Sequence, residues 1–373
     1  MSGIYIHIPF CKQACSYCDF HFSTNLKLQD ALVEAICLEL TSRAAYLEQP
    51  PLSIYFGGGS PSILSSRNLS KIFDSLHQSF DLSEINEITF ESNPDDHTSE
   101  NLLLWKKLGV SRLSIGIQSF IDRDLQLMNR AHDAREAEQC VTKARDAGFE
   151  HLTIDLIYGI PNQSFAEWKS NIEAAIKLGT DHISAYCLTI EPKTAMAYQI
   201  RTGLFNEKSD EEIEQEFLYL HQRLEEANFM HYEISNFARP GHLAQHNQNY
   251  WSGKKYLGIG PAAHSFDGNQ KRSWNVSNNA LYIKGIKTND PNFDFEVLTV
   301  RDRYNEEIMT GLRRKDGFNF GTWETSAQEE ILRNIEQITR TQSEVIQCSG
   351  SNVAIHPEKW LVADHLIRAL MLD

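Results

Sequence analysis

Short β-prone segments alternate with amphipathic helical segments between Ile4 and Ile190. The β-prone segments are IYIHI, SIYF, EITFES, RLSIGI, HLTIDLIY and HISAYCLTI. Apolar residues recur at helical spacing between them, and Gly109, Gly148 and Gly179 stand where three helices should end. This alternation predicts an α/β protein with a parallel sheet and helices outside it. Six units are fewer than the eight of a closed barrel, so we expect a partial (β/α)6 TIM-like barrel.

The pattern changes after Phe229, where aromatic, His and Asn residues become frequent. A chain of 373 residues is long enough for one barrel with an appendage. Its last part predicts helices, then a hairpin in VIQCSGSNVAIHPEKWL, then a final helix. We therefore predict a partial barrel over 1–235, a connecting segment over 236–295, and a small, mainly helical, winged-helix-like C-terminal domain over 296–373.

The composition is that of an acidic globular protein, with 41% hydrophobic and 23% charged residues. A formal net charge of -15 disfavours nucleic acid and anionic membranes as partners. Seven scattered cysteines do not suit a disulfide scaffold and favour a reducing compartment. The N-terminal MSGIYIHIPF lacks the features of a signal peptide, and no apolar run approaches the ~18 residues of a membrane span. We expect a soluble cytoplasmic protein.

Three cysteines, Cys11, Cys15 and Cys18, follow the first β-prone segment with the spacing C-x3-C-x2-C. Cysteine thiolates normally hold all four irons of a 4Fe–4S cluster. Three thiolates leave one iron with an open position, much as a catalytic zinc site keeps one position for substrate. The amino and carboxylate groups of S-adenosylmethionine can fill that position, which places its sulfonium for one-electron reductive cleavage. The spacing therefore predicts a 4Fe–4S cluster and S-adenosylmethionine.

A zinc loop is the alternative interpretation of the same cysteines. His7 and His21 flank the cluster, and either could supply the fourth ligand that zinc typically requires. The position of the cysteines directly after the first strand of a βα series favours the iron–sulfur cluster.

Glycine and polar residues follow other predicted strands, at the edge where barrel active sites collect. Gly58, Gly59 and Ser60 form a loop that can approach a ligand closely, or simply a sharp turn with positive φ. Glu91 and Gln118 end two strands and could bind ribose hydroxyls or an amino group, although a capping or framework role is the more common one for each residue taken alone.

Two charged residues extend this set. Asp155 interrupts the apolar strand HLTIDLIY, where burial of a carboxylate is costly unless it has a partner. Arg130 could bind a carboxylate with two parallel hydrogen bonds, or form an ordinary surface ion pair.

The segment HNQNYW, His246–Trp251, offers an imidazole, two amides and two aromatic rings. A flat apolar macrocycle such as heme suits aromatic walls, and its iron accepts an imidazole ligand. On chemistry alone, packing over a barrel edge is the more common explanation of such residues. His264, in GIGPAAHSF, is a second candidate for heme contact.

The sequence resembles the radical SAM superfamily, and within it the group of oxygen-independent coproporphyrinogen III oxidases and HemW-type heme chaperones. The resemblance rests on YIHIPFCKQACSYCDF, FGGGSPS, ESNP, SIGIQSF, LMNRAH, DLIYGIP, HNQNYW and GIGPAAHSF. It implies contacts to S-adenosylmethionine from these residues: Tyr5, Tyr17, Gly58, Gly59, Ser60, Glu91, Gln118, Arg130 and Asp155. It also implies contacts to heme, as cargo, from the residues His246, Asn247, Tyr250, Trp251 and His264.

Within this group the chain is more similar to the heme chaperones than to the oxidases. The oxidases have a fourth cysteine two residues beyond the third, where this chain has Phe20, and an N-terminal extension ahead of Tyr5. We therefore expect delivery of heme to apoproteins, including transient contact with membrane-bound hemoproteins, and no binding of nucleic acid. Oxidative decarboxylation of coproporphyrinogen III, another radical SAM reaction, and a non-catalytic nucleic-acid-binding protein remain the alternatives.

Overall fold

Parallel pairing of the first six strands sets the architecture. A computed structural model describes residues 2–290, 293–342 and 344–372. The six strands pair in chain order, with Tyr5 opposite Tyr55, Phe56 opposite Phe90 and Glu91 opposite Ser114. Their bounds are β1 Ser2–Ile8, β2 Ser53–Gly58, β3 Glu87–Ser92, β4 Arg112–Gln118, β5 His151–Tyr158 and β6 His182–Cys187. The predicted partial (β/α)6 barrel is confirmed.

Helices cross back over the outside of the sheet between these strands. They are α1 Gln29–Ser42, α2 Ser66–Ser79, α3 Ser99–Lys107, α4 Asp122–Leu127, α5 Ala134–Asp146 and α6 Phe165–Lys177. Ser65 and Ser164 accept hydrogen bonds from backbone N–H groups at the starts of α2 and α6. Gly109 and Gly148 follow α3 and α5 with φ values of 93° and 86°, the left-handed conformation expected of glycines that end helices.

The sheet continues beyond the six predicted strands at both ends. After α7 (Ala195–Arg201) and α8 (Asp210–Glu226), the hairpin of β7 (Met230–Glu233) and β8 (Asn236–Ala238) pairs antiparallel with β6. On the other side, α9 (Gln245–Trp251) leads to β9 (Lys255–Ile259), which pairs parallel to β1.

Strands β10 (His264–Phe266), β11 (Lys271–Asn275) and β12 (Phe293–Val297) complete this side antiparallel, with α10 (Asn279–Lys287) before the last strand. The sheet order is β12-β11-β10-β9-β1-β2-β3-β4-β5-β6-β8-β7. Sequence patterning missed β9 because Gly258 interrupts a strand of only five residues. A side chain at Gly258 would collide with the His264 carbonyl oxygen, so β9 and β10 require glycine there.

The last region contains three helices and a small antiparallel sheet, as the sequence predicts. Its elements are α11 Val300–Gly311, β13 Phe318–Asn319, α12 Thr325–Thr341, β14 Ile346–Ser349, β15 Asn352–Ile355 and α13 Ala363–Leu370, with the strand order β13-β15-β14. Trp360 is 1% exposed and meets the ring of His231 edge-on at 4.4 Å. This contact joins the C-terminal region to the β7–β8 hairpin. The bounds of the three regions remain a prediction.

Within the described ranges, no helix combines the length and apolar character that crossing a membrane requires.

Glu39 on α1 is a fully buried carboxylate that joins the helical layer to the added strands. It accepts hydrogen bonds from Arg43 Nη1 at 2.9 Å, the Gly260 amide at 2.9 Å, Asn275 Nδ2 at 3.0 Å and the Tyr282 hydroxyl at 2.6 Å. A buried charge with this many donors holds its partners in one arrangement.

We expect Glu39→Ala to lower the free energy of unfolding by about 3–5 kcal/mol, because it removes the counter-charge of Arg43 and leaves the Gly260 amide and the Tyr282 hydroxyl without their acceptor. Urea unfolding of both proteins measures the difference. Glu34→Gln on the same helix is the matched control. It removes only the exposed pair with Lys287 and should cost less than about 1 kcal/mol. Equal losses in the two variants would contradict the assigned role of Glu39.

Candidate functional site

The three cysteines lie on one loop that leaves the carboxyl end of β1 and closes on itself. The Cys11 amide donates to the Ser23 carbonyl at 3.1 Å, and the Ser23 amide donates to the Pro9 carbonyl at 2.8 Å. All three thiols are free and partly exposed. Burial raises the pKa of the Cys11 thiol to about 12, so the loop alone does not stabilise a thiolate there. A bound cation would reverse this preference.

The far side of the loop is fixed to the segment that follows α4. The Ser16 amide and hydroxyl donate to the carbonyls of Met128 and Leu127 at 3.0 and 2.8 Å. Asn129 Nδ2 donates to the Ala14 carbonyl at 2.7 Å. The Tyr17 ring packs against an apolar cluster that includes Met128. The cysteine positions are therefore set by the protein backbone before any cofactor binds.

Arg130 connects the cysteine loop to two other strand ends. Its Nη1 donates to Cys15 Sγ at 3.2 Å, and its Nη2 donates to Asn93 Oδ1 at 2.6 Å and to the Gly116 carbonyl at 2.7 Å. Its Nε is buried and has no partner in the described part of the chain. The predicted alternative, a surface ion pair, does not describe this buried guanidinium.

The glycine loop after β2 packs directly on the start of the cysteine loop. The Gly59 amide donates to the Ile8 carbonyl at 2.8 Å, and the Ser60 amide donates to the Phe10 carbonyl at 2.7 Å. A Cβ at Gly59 would lie 2.6 Å from the Phe10 carbonyl oxygen. Gly58 has φ +107°, a conformation that L-residues rarely adopt. The turn with positive φ is thus present, and the close approach that this loop makes is to the backbone of the cysteine loop, while its contact with a ligand stays a prediction.

Glu91, at the end of β3, faces the barrel interior together with two tyrosines. Its carboxylate accepts from the Tyr55 hydroxyl at 2.7 Å and from the Gly58 amide at 3.2 Å. The ring of Tyr5 lies 6.0 Å from that of Tyr55. Burial, and to a smaller extent the charge of Asp155, raises the pKa of Glu91 to about 7.

Gln118 and Asp155 complete the interior from β4 and β5. Gln118 is buried with φ 70° at a register shift in the pairing of β4 with β5, a strained conformation for a residue other than glycine. Asp155 accepts from the Ser114 hydroxyl at 3.4 Å, and burial raises its pKa to about 6. All nine residues implied as cofactor contacts thus belong to β1–β5 or to the loops that follow them.

These residues fit the cofactors that the cysteine spacing implies. Cys11, Cys15 and Cys18 would hold the cluster, and no fourth cysteine lies on their loop. The interior carboxylates of Glu91 and Asp155 suit the cationic amino and sulfonium groups of S-adenosylmethionine. With this cluster bound, the cofactor pair supplies one-electron reductive chemistry.

The histidines of the zinc alternative are engaged elsewhere. His7 contacts the Tyr5 hydroxyl through Nδ1 at 3.1 Å and the His21 carbonyl through Nε2 at 3.1 Å. His21 Nε2 contacts Asn279 at 2.8 Å. Across residues 2–290, 293–342 and 344–372, no set of three or more His, Cys, Asp or Glu side chains is arranged to hold a single metal ion.

The heme candidates lie on and beside α9, which crosses β1, β2 and β3. His246 is 2% exposed, contacts the Ser53 hydroxyl through Nδ1 at 2.9 Å and has no partner for Nε2 in the described chain. Its ring packs against that of Tyr250 at 5.3 Å, and Tyr250 lines a cavity of about 1170 Å³. Four other candidates line that cavity, namely Asn247, Tyr250, Trp251 and His264.

The cavity lies between the two ends of the barrel. The β7–β8 hairpin borders one side, β9–β11 border the other, and α11 contributes from the C-terminal region. Seven aromatic side chains line it, namely Tyr186, Tyr250, Trp251, Tyr256, Phe266, Trp274 and Phe318. Its volume exceeds the 300–1,000 Å³ typical of small-molecule sites, so it has room for a large ligand.

Sequence reasoning missed the residues that place α9 and Arg130. Glu87 accepts from Arg112 Nε at 2.9 Å and from the His246 amide at 3.0 Å, and Arg112 donates to the His242 carbonyl at 3.1 Å. Asn93 holds Arg130 and stands in ESNP, immediately after β3. A polar residue directly after a strand was an available signal for Asn93, whereas no sequence signal connects Glu87 with α9.

Replacing any one cluster cysteine by serine, as in Cys15→Ser, should abolish formation of a stable cluster, because an alcohol is a poor ligand for iron. Iron and sulfide content after anaerobic reconstitution measures this. Cys348→Ser is the control, since Cys348 is exposed in β14, and it should keep full cluster content. Full iron content in all three cysteine variants would rule out the assigned ligands.

Glu91→Gln should stabilise the cofactor-free protein in a pH-dependent way. The raised pKa means that ionisation of Glu91 opposes folding, so the wild-type protein loses stability as pH rises from about 4.5 to about 7. The variant should therefore be more stable by about 2 kcal/mol at pH 8 and lose this advantage towards pH 5. Urea unfolding at both pH values measures it. The exposed Glu138→Gln should show no such trend, and a pH-independent difference for Glu91→Gln would contradict the burial argument.

Comparisons with known proteins show the family of this chain. Residues 5–175 match the radical SAM superfamily. The heme chaperone HemW of Mycobacterium tuberculosis is 32% identical over 99% of this chain and 94% of its own length. That of Bacillus subtilis is 34% identical over 85% of this chain and 84% of its own length. That of Escherichia coli is 36% identical over 70% of this chain and 69% of its own length.

A solved structure shows the same fold. The coproporphyrinogen III oxidase HemN of Escherichia coli, a radical SAM enzyme, superposes with a TM-score of 0.86 at 19% identity, over 99% of this chain and 90% of that one. At this identity, the similarity between the two chains is evidence of a shared fold alone. The superfamily implies a 4Fe–4S cluster and S-adenosylmethionine as cofactors, which agrees with the cysteine loop described above. The chain belongs to the HemW family of the radical SAM superfamily.

Proposed function

We propose that this protein is a heme chaperone that binds heme and delivers it to apoproteins in the cytoplasm. It carries a 4Fe–4S cluster and S-adenosylmethionine at the carboxyl ends of β1–β5, apart from its cargo. The curated relatives from three bacteria are named as heme chaperones, and they support the proposal.

The aromatic cavity beside the barrel is the observation that carries this proposal. A porphyrin is a flat, mainly apolar ring with two carboxylates, and it binds where aromatic walls surround a few placed polar groups. The cavity has both, since Tyr250 and Trp251 contribute rings while Asn247 and His264 contribute polar atoms. Its position between the barrel ends and the C-terminal region gives a large ligand a route in and out.

The cavity also adjoins the barrel interior. Tyr186 lines it from β6, two residues beyond Ser184, which pairs with Asp155 in the sheet. Burial raises the pKa of Tyr186, and the charge of Asp155 contributes to this rise. Cargo and cofactor therefore occupy neighbouring compartments, with the polar interior residues between them.

Phe20 argues against the oxidase alternative. It occupies the position of the fourth cysteine of the oxidases, and its side chain is 69% exposed on the cysteine loop. The relatives that show the family of this chain are chaperones. The similarity to the oxidase is a similarity of fold. We propose apoproteins as partners, with transient contact where the acceptor is bound to a membrane, and no role for nucleic acid.

The reconstituted protein, supplied with S-adenosylmethionine and reductant without oxygen, should bind heme and transfer it to an apoprotein acceptor. The same preparation supplied with coproporphyrinogen III should form no protoporphyrinogen IX. Heme titration and product analysis on one sample measure both. Robust formation of protoporphyrinogen IX would overturn the chaperone proposal, and so would an absence of heme binding.

His246→Ala should weaken heme transfer, because loss of the imidazole removes its contact with Ser53 and loosens α9, which carries Asn247, Tyr250 and Trp251. The rate of heme transfer to the acceptor measures this effect. His77→Ala, an exposed histidine on α2, should behave as wild type. Equal transfer rates in wild type and His246→Ala would remove the α9 motif from the proposal.

A further inference from the structure

His264 presents an unengaged imidazole to the cavity. It begins β10, its side chain is exposed, and its ring stacks on Trp274 with centroids 5.6 Å apart and planes 27° apart. Neither ring nitrogen makes a hydrogen bond to another described residue. Burial, with a smaller contribution from Arg272, lowers the pKa of His264, which favours the neutral form that ligates metals.

The other histidine candidate is buried and is already engaged through one ring nitrogen. His246 is buried, its Nδ1 is bound to Ser53, and its ring lies between those of Tyr55 and Tyr250 at 5.2 and 5.3 Å. A ligand in the cavity would have to displace α9 to reach it. His264 requires no such movement, because it already lines the cavity wall.

The arginines of the cavity differ in whether their charge is balanced. Arg272 pairs with Glu296 at 3.2 Å and with Glu306 at 2.5 Å, and Arg313 pairs with Asp364 at 2.7 Å. The charges of Arg272 and Arg313 are therefore already balanced by carboxylates of the protein.

Arg314, immediately after α11, has no such partner. Among the described residues it makes no ion pair, and its Nη2 donates only to the Gly317 carbonyl at 3.2 Å. Its Nε is buried without an acceptor, and burial lowers its pKa. A half-buried guanidinium with unused donors favours a carboxylate ligand, which it can bind through a charge-assisted hydrogen bond.

The geometry points to an iron porphyrin in this cavity whose iron is ligated by His264 and one of whose propionates is bound by Arg314. This inference rests on the proposed function and specifies how its cargo is held. The two residues come from different walls, His264 from the β9–β11 side and Arg314 from the segment after α11. A porphyrin held by both residues would need them on different walls, since its iron is central and its carboxylates lie at one edge. The aromatic side chains would cover the ring faces.

Heme titration of the full-length protein, followed in the Soret region, tests the axial ligand. His264→Ala should bind heme at least about tenfold more weakly and lose the spectrum of imidazole-ligated heme. Added imidazole should restore that spectrum, because it can fill the space of the missing ring. His77→Ala is the control and should match wild type.

A second titration tests the carboxylate contact. Arg314→Gln should weaken heme binding by about tenfold, the loss expected for one charge-assisted hydrogen bond. It should leave the binding of heme dimethyl ester unchanged, because that ligand has no carboxylate for Arg314 to bind. Arg303→Gln, in the same cavity on α11, is the matched control and should retain more of the affinity for heme.

The outcomes separate the two proposals. A wild-type protein that binds no heme would overturn the heme-chaperone function itself. A wild-type protein that binds heme, with an unchanged spectrum in His264→Ala and unchanged affinity in Arg314→Gln, would overturn only the placement of heme in this cavity. Urea unfolding of each variant shows whether a loss of binding reflects a loss of folding instead.

Discussion

The parallel pairing of β1–β6 is the constraint on which the site depends. Since the strands run in one direction, all their carboxyl ends meet at one edge of the sheet, and residues distant in sequence become neighbours there. Arg130 shows this most directly, because it contacts Cys15 from the first strand–loop unit and Asn93 from the third. Most of the interior polar residues would lose their function if a single strand slipped by one position, since a slip reverses the side that each side chain faces.

Much of the barrel could be predicted from sequence, and so could much of the sheet edge where the expected cofactor residues lie. Strands such as HLTIDLIY are long and apolar, and each ends at a turn, so their number and order follow from local pattern alone. The cysteines are also a local signal, because their spacing within one loop carries the chemistry. The role of Asn93 was harder to predict, because it depends on a contact with Arg130, which is far from Asn93 in the chain.

The cavity could not be predicted to the same degree, for a physical reason. Its walls come from short elements such as β7, β8 and β9, whose residues have little periodicity and which form through pairing with distant strands. The helix α9 is seven residues long and is held by a buried ion pair between Glu87 and Arg112. Intrinsic helix propensity alone would not keep so short a segment helical. Tertiary contacts decide its conformation, and no local pattern records them.

The interior carboxylates of Glu91 and Asp155 have a consequence for the durability of the fold. Burial disfavours the ionised form of both, so at neutral pH they leave the native state electrostatically frustrated. A cationic ligand would relieve this frustration, and any molecule that binds only the native state shifts the folding equilibrium towards it. Binding of the cationic cofactor therefore stabilises the native chain, and depletion of that cofactor would leave the protein more readily unfolded.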